Sequence, residues 1–302
     1  MSKSTKTWLV TASLLVLAGC IIFVGAMMKL NWDFTKLTTS KYKTNTYEIE
    51  EEYKNISVVT DTADIVFITA EETKTKVVCY EQENVEHTVT VKDGELLIEI
   101  SDLRKWYEHI EINFANPKIT VYLPQGEYGA LAVNTSTGNV EVPEGFEFES
   151  IDISASTGNI QLKNISAANV DLSALTGRIT ASDISCTDSF NFDVSTGKSY
   201  LSDITCKNIT STGNTGSAEL ERVIAGEKIS LKRSTGNIKL DKCDAAEIFI
   251  KTDTGDVKGS LISDKVFITA TDTGKVEVPK STKGGNCEII TSTGNIIISV
   301  ND

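Results

Sequence analysis

Few side chains in this 302-residue sequence stand where chemistry would need them. Its two histidines, His87 and His109, fall close together, and His109 ends the run Leu103-Arg104-Lys105-Trp106-Tyr107-Glu108-His109. A Trp106–Tyr107 pair beside mixed charges is the kind of surface that holds a glycan or a protein partner. The same aromatics serve to cover the open apolar end of a repeat array, and that use is preferred because every array needs a cap. Asp253, Asp256 and Asp272 cluster at two neighbouring turns and offer the oxygen ligands that Ca²⁺ takes. No glycine-rich nonapeptide accompanies them, so they read as solvated corners and no metal is expected. Cys186 and Cys206 occupy equivalent positions one repeat apart, at a separation that permits either a disulfide or a stacked row of small residues. Outward carboxylates such as Glu141, Glu219 and Asp241 could supply the acid and base of a polysaccharide hydrolase or lyase. They lack an aromatic platform, and the GxSxG, HExxH and P-loop patterns are missing, so the chain reads as a non-enzyme without a cofactor.

What would position any of these groups is a recurring Thr-Gly dipeptide. Its glycines are Gly138, Gly158, Gly177, Gly197, Gly216, Gly236, Gly255, Gly274 and Gly294, spaced by 19 or 20 residues throughout. Internal repeats of this length call for a solenoid. Relative to each glycine, apolar residues recur at −7, −5, +2 and +4, as in Ile151/Ile153 and Ile160/Leu162 around Gly158. Alternation on both sides of a turn predicts two short strands per repeat, each with one inward face. Stacking buries that face, so the expectation is an all-β, parallel, right-handed β-solenoid or β-helix of coils about 20 residues long. Glycine supplies the corner, and the Thr before it and Asn or Asp after it should form ladders along the stack. Two places strain the pattern. Ser-Thr-Gly-Asn-Thr-Gly around Gly213 and Gly216 offers two registers, and Arg233 puts a charge at −3 where other repeats have Ala174 or Val194, which places it near a rim.

Trp8 to Met28 is a 21-residue run without a charge, preceded by Lys3 and Lys6. At about 1.5 Å per residue such a helix spans a hydrocarbon core of about 30 Å. Two readings stand: an uncleaved signal anchor, or a lipoprotein signal in which Leu17-Ala18-Gly19-Cys20 is a lipobox and Cys20 carries the lipid. Ile21 to Val24 continues the apolar run, which favours the anchor. The organisation expected is a cytoplasmic tail (1–7), a transmembrane helix (8–28), a juxtamembrane tether (29–46), irregular coils with an N-terminal cap (47–130) and regular repeats (131–302), all beyond the span being extracytoplasmic. Within the irregular part, Lys92-Asp93-Gly94 is a hairpin turn. Ala63 is a degenerate corner 75 residues, or nearly four periods, before Gly138. A net charge of −13 argues against nucleic acid as a partner. The last strand, Asn295 to Val300, has an outward Ile297 and no visible cap, so the C-terminal coil is expected to dock a partner or a second copy.

The Ser-Thr-Gly-Asn-Ile/Val repeats from Gly138 to Gly294, the Thr62-Ala63-Asp64-Ile65 segment, the strand Ile119 to Pro124 and the single N-terminal span together resemble a known family. It comprises bacterial, mostly Gram-positive, membrane-anchored β-strand-repeat proteins of unknown function, often labelled "putative adhesins". The resemblance covers nearly the whole chain. It implies an extracytoplasmic repeat domain, sometimes linked to envelope-stress loci, and carries over no catalytic or ligand residues. The expected function is that of a cell-surface binding module whose partner is a protein or a cell-wall or host glycan. The alternatives are a structural or sensory component of an envelope-stress system and, more remotely, the polysaccharide enzyme.

Overall fold

The computed structural model describes residues 3–33, 41–102, 104 and 115–300. Helix α1 (Lys3–Lys29) is followed by a chain that is mostly strand. Its segment Ser4–Lys29 holds an 18-residue window of mean hydropathy 2.5 and is long and apolar enough to cross a membrane, as a signal sequence also is. The helix ends where Asn31 and Trp32 adopt φ of 54° and 58°. The Trp32 N–H then reaches back to the Met27 carbonyl at 2.8 Å, satisfying one of the last free acceptors.

Strand β1 (Tyr42–Ile49) begins inside the stretch read as a tether and is followed by β2 (Asn55–Thr62) and β3 (Asp64–Ala70). The chain then leaves the stack for β4 (Thr75–Gln82) and β5 (Val85–Lys92), and returns through β6 (Glu95–Asp102), β7 (Lys118–Pro124), β8 (Glu127–Thr137) and β9 (Val140–Val142). Lys92 faces Glu95 across a two-residue turn in which Asp93 and Gly94 have φ of 52° and 77°, the hairpin geometry that Asp-Gly favours. β2 pairs in parallel with β6 on one side and β8 on the other, and β3 does the same with β7 and β9. The coil 55–70 therefore lies between coils 95–124 and 127–142. Ala63 and Gly138 are direct neighbours, not four coils apart: a Cβ on Gly138 would sit 2.0 Å from the Ala63 carbonyl oxygen. Beyond β6 and β7 the pairing turns antiparallel, with β5 on β6, β4 on β7 and β1 on β4, and these strands close that end.

From β8 onward the coils follow one another through β10 (Phe146–Thr215), β11 (Ala218–Thr235) and β12 (Ile238–Thr254). Ile153 faces Val133, Ile209 faces Ile229, and Ile229 faces Ile248, each pair in parallel and one repeat apart. The −7, −5, +2 and +4 residues form the core, as Val170, Leu172, Ile179 and Ala181 do with no exposed surface. Gly177 shows why the corner is glycine. Its φ is +152°, and a Cβ there would lie 1.8 Å from the Gly158 carbonyl oxygen of the coil beneath. A second corner at +6, missed by the apolar pattern, uses Asn164, Asp183, Asp203, Arg222 and Lys242 in left-handed conformation, φ 50–57°. The corner ladder begins at Asp64, whose Oδ1 accepts the Asn139 N–H and Nδ2, and Asn139 Oδ1 accepts the same pair from Asn159.

The other end also departs from simple succession. It comprises β13 (Val257–Leu261), β14 (Lys265–Thr273), β15 (Val276–Glu277), β16 (Gly285–Thr293) and β17 (Ile296–Val300). β12 and β13 pair with β16 and β17, whose far sides take β14 and β15. The last coil in sequence thus lies between the two before it. The corner ladder runs in this spatial order, Asn295 donating to Asp256 Oδ1 through N and Nδ2, and Lys275 N donating to Asn295 Oδ1. Ile297, expected on a bare edge, is flanked by Lys258 and Glu277 and is half-buried. The physical reason is composition. Cys287, Ile289, Ile296 and Ile298 give the last coil an inner face that is apolar apart from Thr291, each of the five 0–4% exposed. Coil 265–278 places Thr269 in line with Ile289 and Thr271 with Thr291, so the more polar coil is left outermost. There Ile268 is 55% and Val276 41% exposed.

Candidate functional site

The most unusual side chain in the stack is Arg233. Neighbouring residues have been emptied to admit it. At offsets where other coils carry aliphatics, the chain has Ser199 (+2), Ser211 (−5) and Gly213 (−3), against Ile179, Leu172 and Ala174 in an earlier coil. A Cβ at Gly213 would lie 2.9 Å from Arg233 Nη1 and 3.0 Å from its Cδ, so only glycine leaves the guanidinium room. Arg233 Nη2 donates to Ser211 Oγ at 2.9 Å and Ser199 Oγ at 3.4 Å, and Nη1 to the Lys232 carbonyl at 2.9 Å. The guanidinium carbon stands 5.8 Å from the Phe192 ring centroid. At 5% exposure Arg233 is part of the interior, which corrects the rim position its charge suggested. It also explains the double register around Gly213 and Gly216: Gly213 makes space, and Gly216 makes the corner.

Every partner of this cation is neutral. Among the described residues no carboxylate bonds to it; Asp193, the acid whose field reaches it, instead accepts the Thr212 N–H at 2.6 Å. Burial holds the guanidinium pKa below its ordinary value, with Asp193 opposing. A desolvated charge without a counter-ion costs several kcal/mol. Above it lies an open polar recess of about 570 Å³, lined by Ser173, Asp193, Ser195, Thr212, Gly213, Asn214, Lys232, Arg233, Ser234, Lys251 and Asp253. Apart from Gly213 and Arg233, which occupy the inward −3 position, these are outward residues at −4 and −2 of successive coils, where strand alternation places them. The recess carries Lys232, Lys251 and the edge of Arg233 against the carboxylates Asp193 and Asp253, with hydroxyls and an amide between them, a mixed polar surface with a slight excess of positive charge.

The residues singled out in the sequence are scattered. Trp106, Tyr107 and His109 lie outside the described residues, and Cys20 is exposed on α1. Cys186 and Cys206 are free thiols in a buried row with Ala167, Ala225 and Ala245. Cys186 Sγ donates to the Ala168 and Ser189 carbonyls, both at 3.1 Å. Asp253 and Asp272 are not at neighbouring corners, because Gly294 stacks between Gly255 and Gly274. Asp256 is occupied by Asn295 and, at 2.5 Å, by Lys258 Nζ. Glu141, Glu219 and Asp241 stand on the outer rows of three different coils. What the sequence reading missed is that Ser199, Ser211 and Gly213 break the aliphatic offsets together, immediately before the charge at Arg233.

Residues 53–199 match the model of the family described as Toastrack DUF4097. No curated protein matches the chain. Among solved structures, a "putative adhesin" from Parabacteroides distasonis is similar at 12% identity, covering 86% of this chain and 98% of that one, with a TM-score of 0.43. One from Bacteroides fragilis is 15% identical over 87% of this chain and 99% of that one, TM-score 0.37. One from Parabacteroides merdae is 14% identical over 88% and 98%, TM-score 0.35. These sources lend no support to the Gram-positive placement that the resemblance implied.

Proposed function

We propose that this chain, whose residues 53–199 carry the Toastrack match, is a cell-surface binding module that takes an acidic glycan in the recess over Arg233. The supporting observation is that Arg233, 5% exposed and bonded among the described residues to hydroxyl and carbonyl oxygens, borders an open polar recess that also carries Lys232 and Lys251. A sugar carboxylate supplies the missing counter-charge in the fork geometry that arginine favours. Ser195, Thr212, Asn214 and Ser234 suit the remaining hydroxyls. In this reading α1 is a single membrane span with the β domain outside the cytoplasm, and the chain binds without catalysing.

The test is binding of oligogalacturonate to the full chain in detergent micelles, against the same oligosaccharide with its carboxyls reduced. The carboxylate form should bind and the reduced form should not, with affinity falling at least about tenfold, or about 1.4 kcal/mol, in Arg233→Gln. Equal binding of both sugars, or full binding by the variant, would remove the proposal. A second reading has its own observation: coil 265–278 is outermost, with β14 paired on one side only and Ile268 exposed. It is the natural edge for a second copy or a protein partner, in place of the Ile297 strand. Sedimentation should show an association that Ile268→Lys abolishes.

A further inference from the structure

Where strands β1, β4 and β5 close the N-terminal end, three side chains converge that the binding reading does not use. Cys79 and Glu81 are two residues apart on β4 and so share its inward face. His87 arrives from β5, which follows β4 after a tight reversal in which Gln82 pairs with Val85. The Cys79 Sγ, a Glu81 carboxylate oxygen and a His87 ring nitrogen all lie within 4.8 Å of one another. The three residues are 0, 1 and 4% exposed. We propose that Cys79, Glu81 and His87 form a binding site for a zinc ion that ties β4 to β5 within the cap.

The donor set is the one that zinc takes, a thiolate, an imidazole and a carboxylate, with a fourth position left for water. A cavity of about 120 Å³ adjoins Glu81 and His87, walled also by Asp61, Gln82 and Arg104, and has room for that water. Outer-shell partners are in place. His87 Nε2 lies 2.8 Å from Thr60 Oγ1, so with Nδ1 on the metal the Nε2–H donates to the threonine. Glu81 Oε1 accepts from Asn45 Nδ2 at 2.6 Å, which orients the carboxylate. Glu81 Oε2 is 2.7 Å from His87 Nδ1, closer than two zinc ligands sit, so loading separates them by a few tenths of an ångström.

Charge and the thiol separate this from a plain hydrogen-bonded pair. Cys186, Cys206 and Cys243 each donate to a carbonyl, whereas Cys79 Sγ, like that of the distant Cys287, has no hydrogen bond among the described residues and alone of the two has a carboxylate and an imidazole beside it. Zinc takes a cysteine as its thiolate, so a thiol at Cys79 gives up its proton on binding. Zinc uptake displaces that proton: the S–H bond breaks, a Zn–S bond forms, and one H⁺ leaves to solvent. Zn²⁺ with one thiolate, one carboxylate and a neutral imidazole is then a neutral assembly, which a buried site tolerates.

The experiment uses the untagged, reduced, chelator-stripped full chain in detergent. Titration with Co²⁺ should give one ion per chain, a thiolate-to-cobalt charge-transfer band and tetrahedral ligand-field bands, all displaced by Zn²⁺. X-ray absorption of the zinc-loaded chain should show one sulfur at about 2.3 Å and nitrogen or oxygen neighbours at about 2.0–2.2 Å. Cys79→Ser should lose the charge-transfer band and Cys287→Ser should keep it. The proposal falls if the wild-type chain shows no such band, if its zinc has no sulfur or more than one, or if a folded Cys79→Ser retains the band. Should Cys79→Ser not fold, the wild-type absorption spectrum still decides.

Discussion

Replacing Arg233 by methionine should stabilise the protein while removing its ligand. The guanidinium is 5% exposed and its acceptors are two serine hydroxyls and a carbonyl, so its desolvation is not offset by an opposite charge. Exchanging buried charge for apolar volume typically yields about 1–4 kcal/mol. Methionine is unbranched and adapts to the channel over Gly213. Ser211 keeps the Phe192 carbonyl as its own acceptor, so its hydroxyl proton is not orphaned. A gain of about 1–4 kcal/mol in urea unfolding, at unchanged m-value, is therefore expected, together with loss of oligogalacturonate binding. Arg233→Ala should instead lose about 2–4 kcal/mol, because the space vacated under Gly213 cannot close. A methionine variant that loses more than about 1 kcal/mol and still binds would show that the arginine is a core element and the recess no site.

Three further outcomes follow from the geometry. Gly177→Ala, with φ +152° and a carbonyl oxygen 1.8 Å from the new Cβ, should lose at least about 1–3 kcal/mol on backbone strain alone, whereas Gly226→Ala, whose nearest atom is at 3.8 Å, should be neutral or gain up to about 1 kcal/mol. Equal urea midpoints for the two would refute the stacking role of the corner glycines. The Asn295 N–H, and then Lys258, hold the Asp256 carboxyl below its ordinary value, so its stabilisation is present above about pH 3.9 and fades as pH falls through the lower folded value. The protection factor of the Asn295 amide, corrected for intrinsic exchange, should fall below about pH 4 in the wild type and show no such step in Asp256→Asn; a protection factor unchanged with pH in the wild type would contradict this. Deleting residues 285–302 should abolish exchange protection across β14 as well as on the β12 edge, because among the described residues β14 pairs with the deleted coil alone.

Much of the stack was legible because a coil's inner face is a local property. Val170, Leu172 and Ile179 are buried where alternation about Gly177 places them, and Asp93-Gly94 makes the turn its dihedral preferences dictate. The order of coils was not legible. Every coil presents the same offsets, so nothing in the period says whether Ile250 should face Thr269 or Ile289. That choice depends on which coil has the more apolar inner face, a comparison between distant segments. The +6 corner escaped because left-handed φ is held there by Asn164 and Asp183 but also by Arg222 and Lys242, types with no common signature. Arg233 was misplaced because a charge was weighed alone. Its accommodation is written in the preceding coils, at Ser199, Ser211 and Gly213, and only stacking brings them beneath it.

The two ends share a device that a simple array lacks. Coil 55–70 lies between 95–124 and 127–142, and coil 285–300 lies between 247–261 and 265–278. In an ordinary array the outermost coil ends the chain and frays freely, since it contacts one neighbour only. Here the outermost C-terminal coil, 265–278, is tethered on both sides, by 261–265 behind it and by the return to Gly285 ahead. A frayed coil held at both ends re-forms readily, because short loops keep its effective concentration high. The ends then diverge. The N-terminal one is closed by antiparallel β4 and β1 and, in our proposal, by zinc. The C-terminal one is left with β14 paired on a single side and Ile268 in solvent.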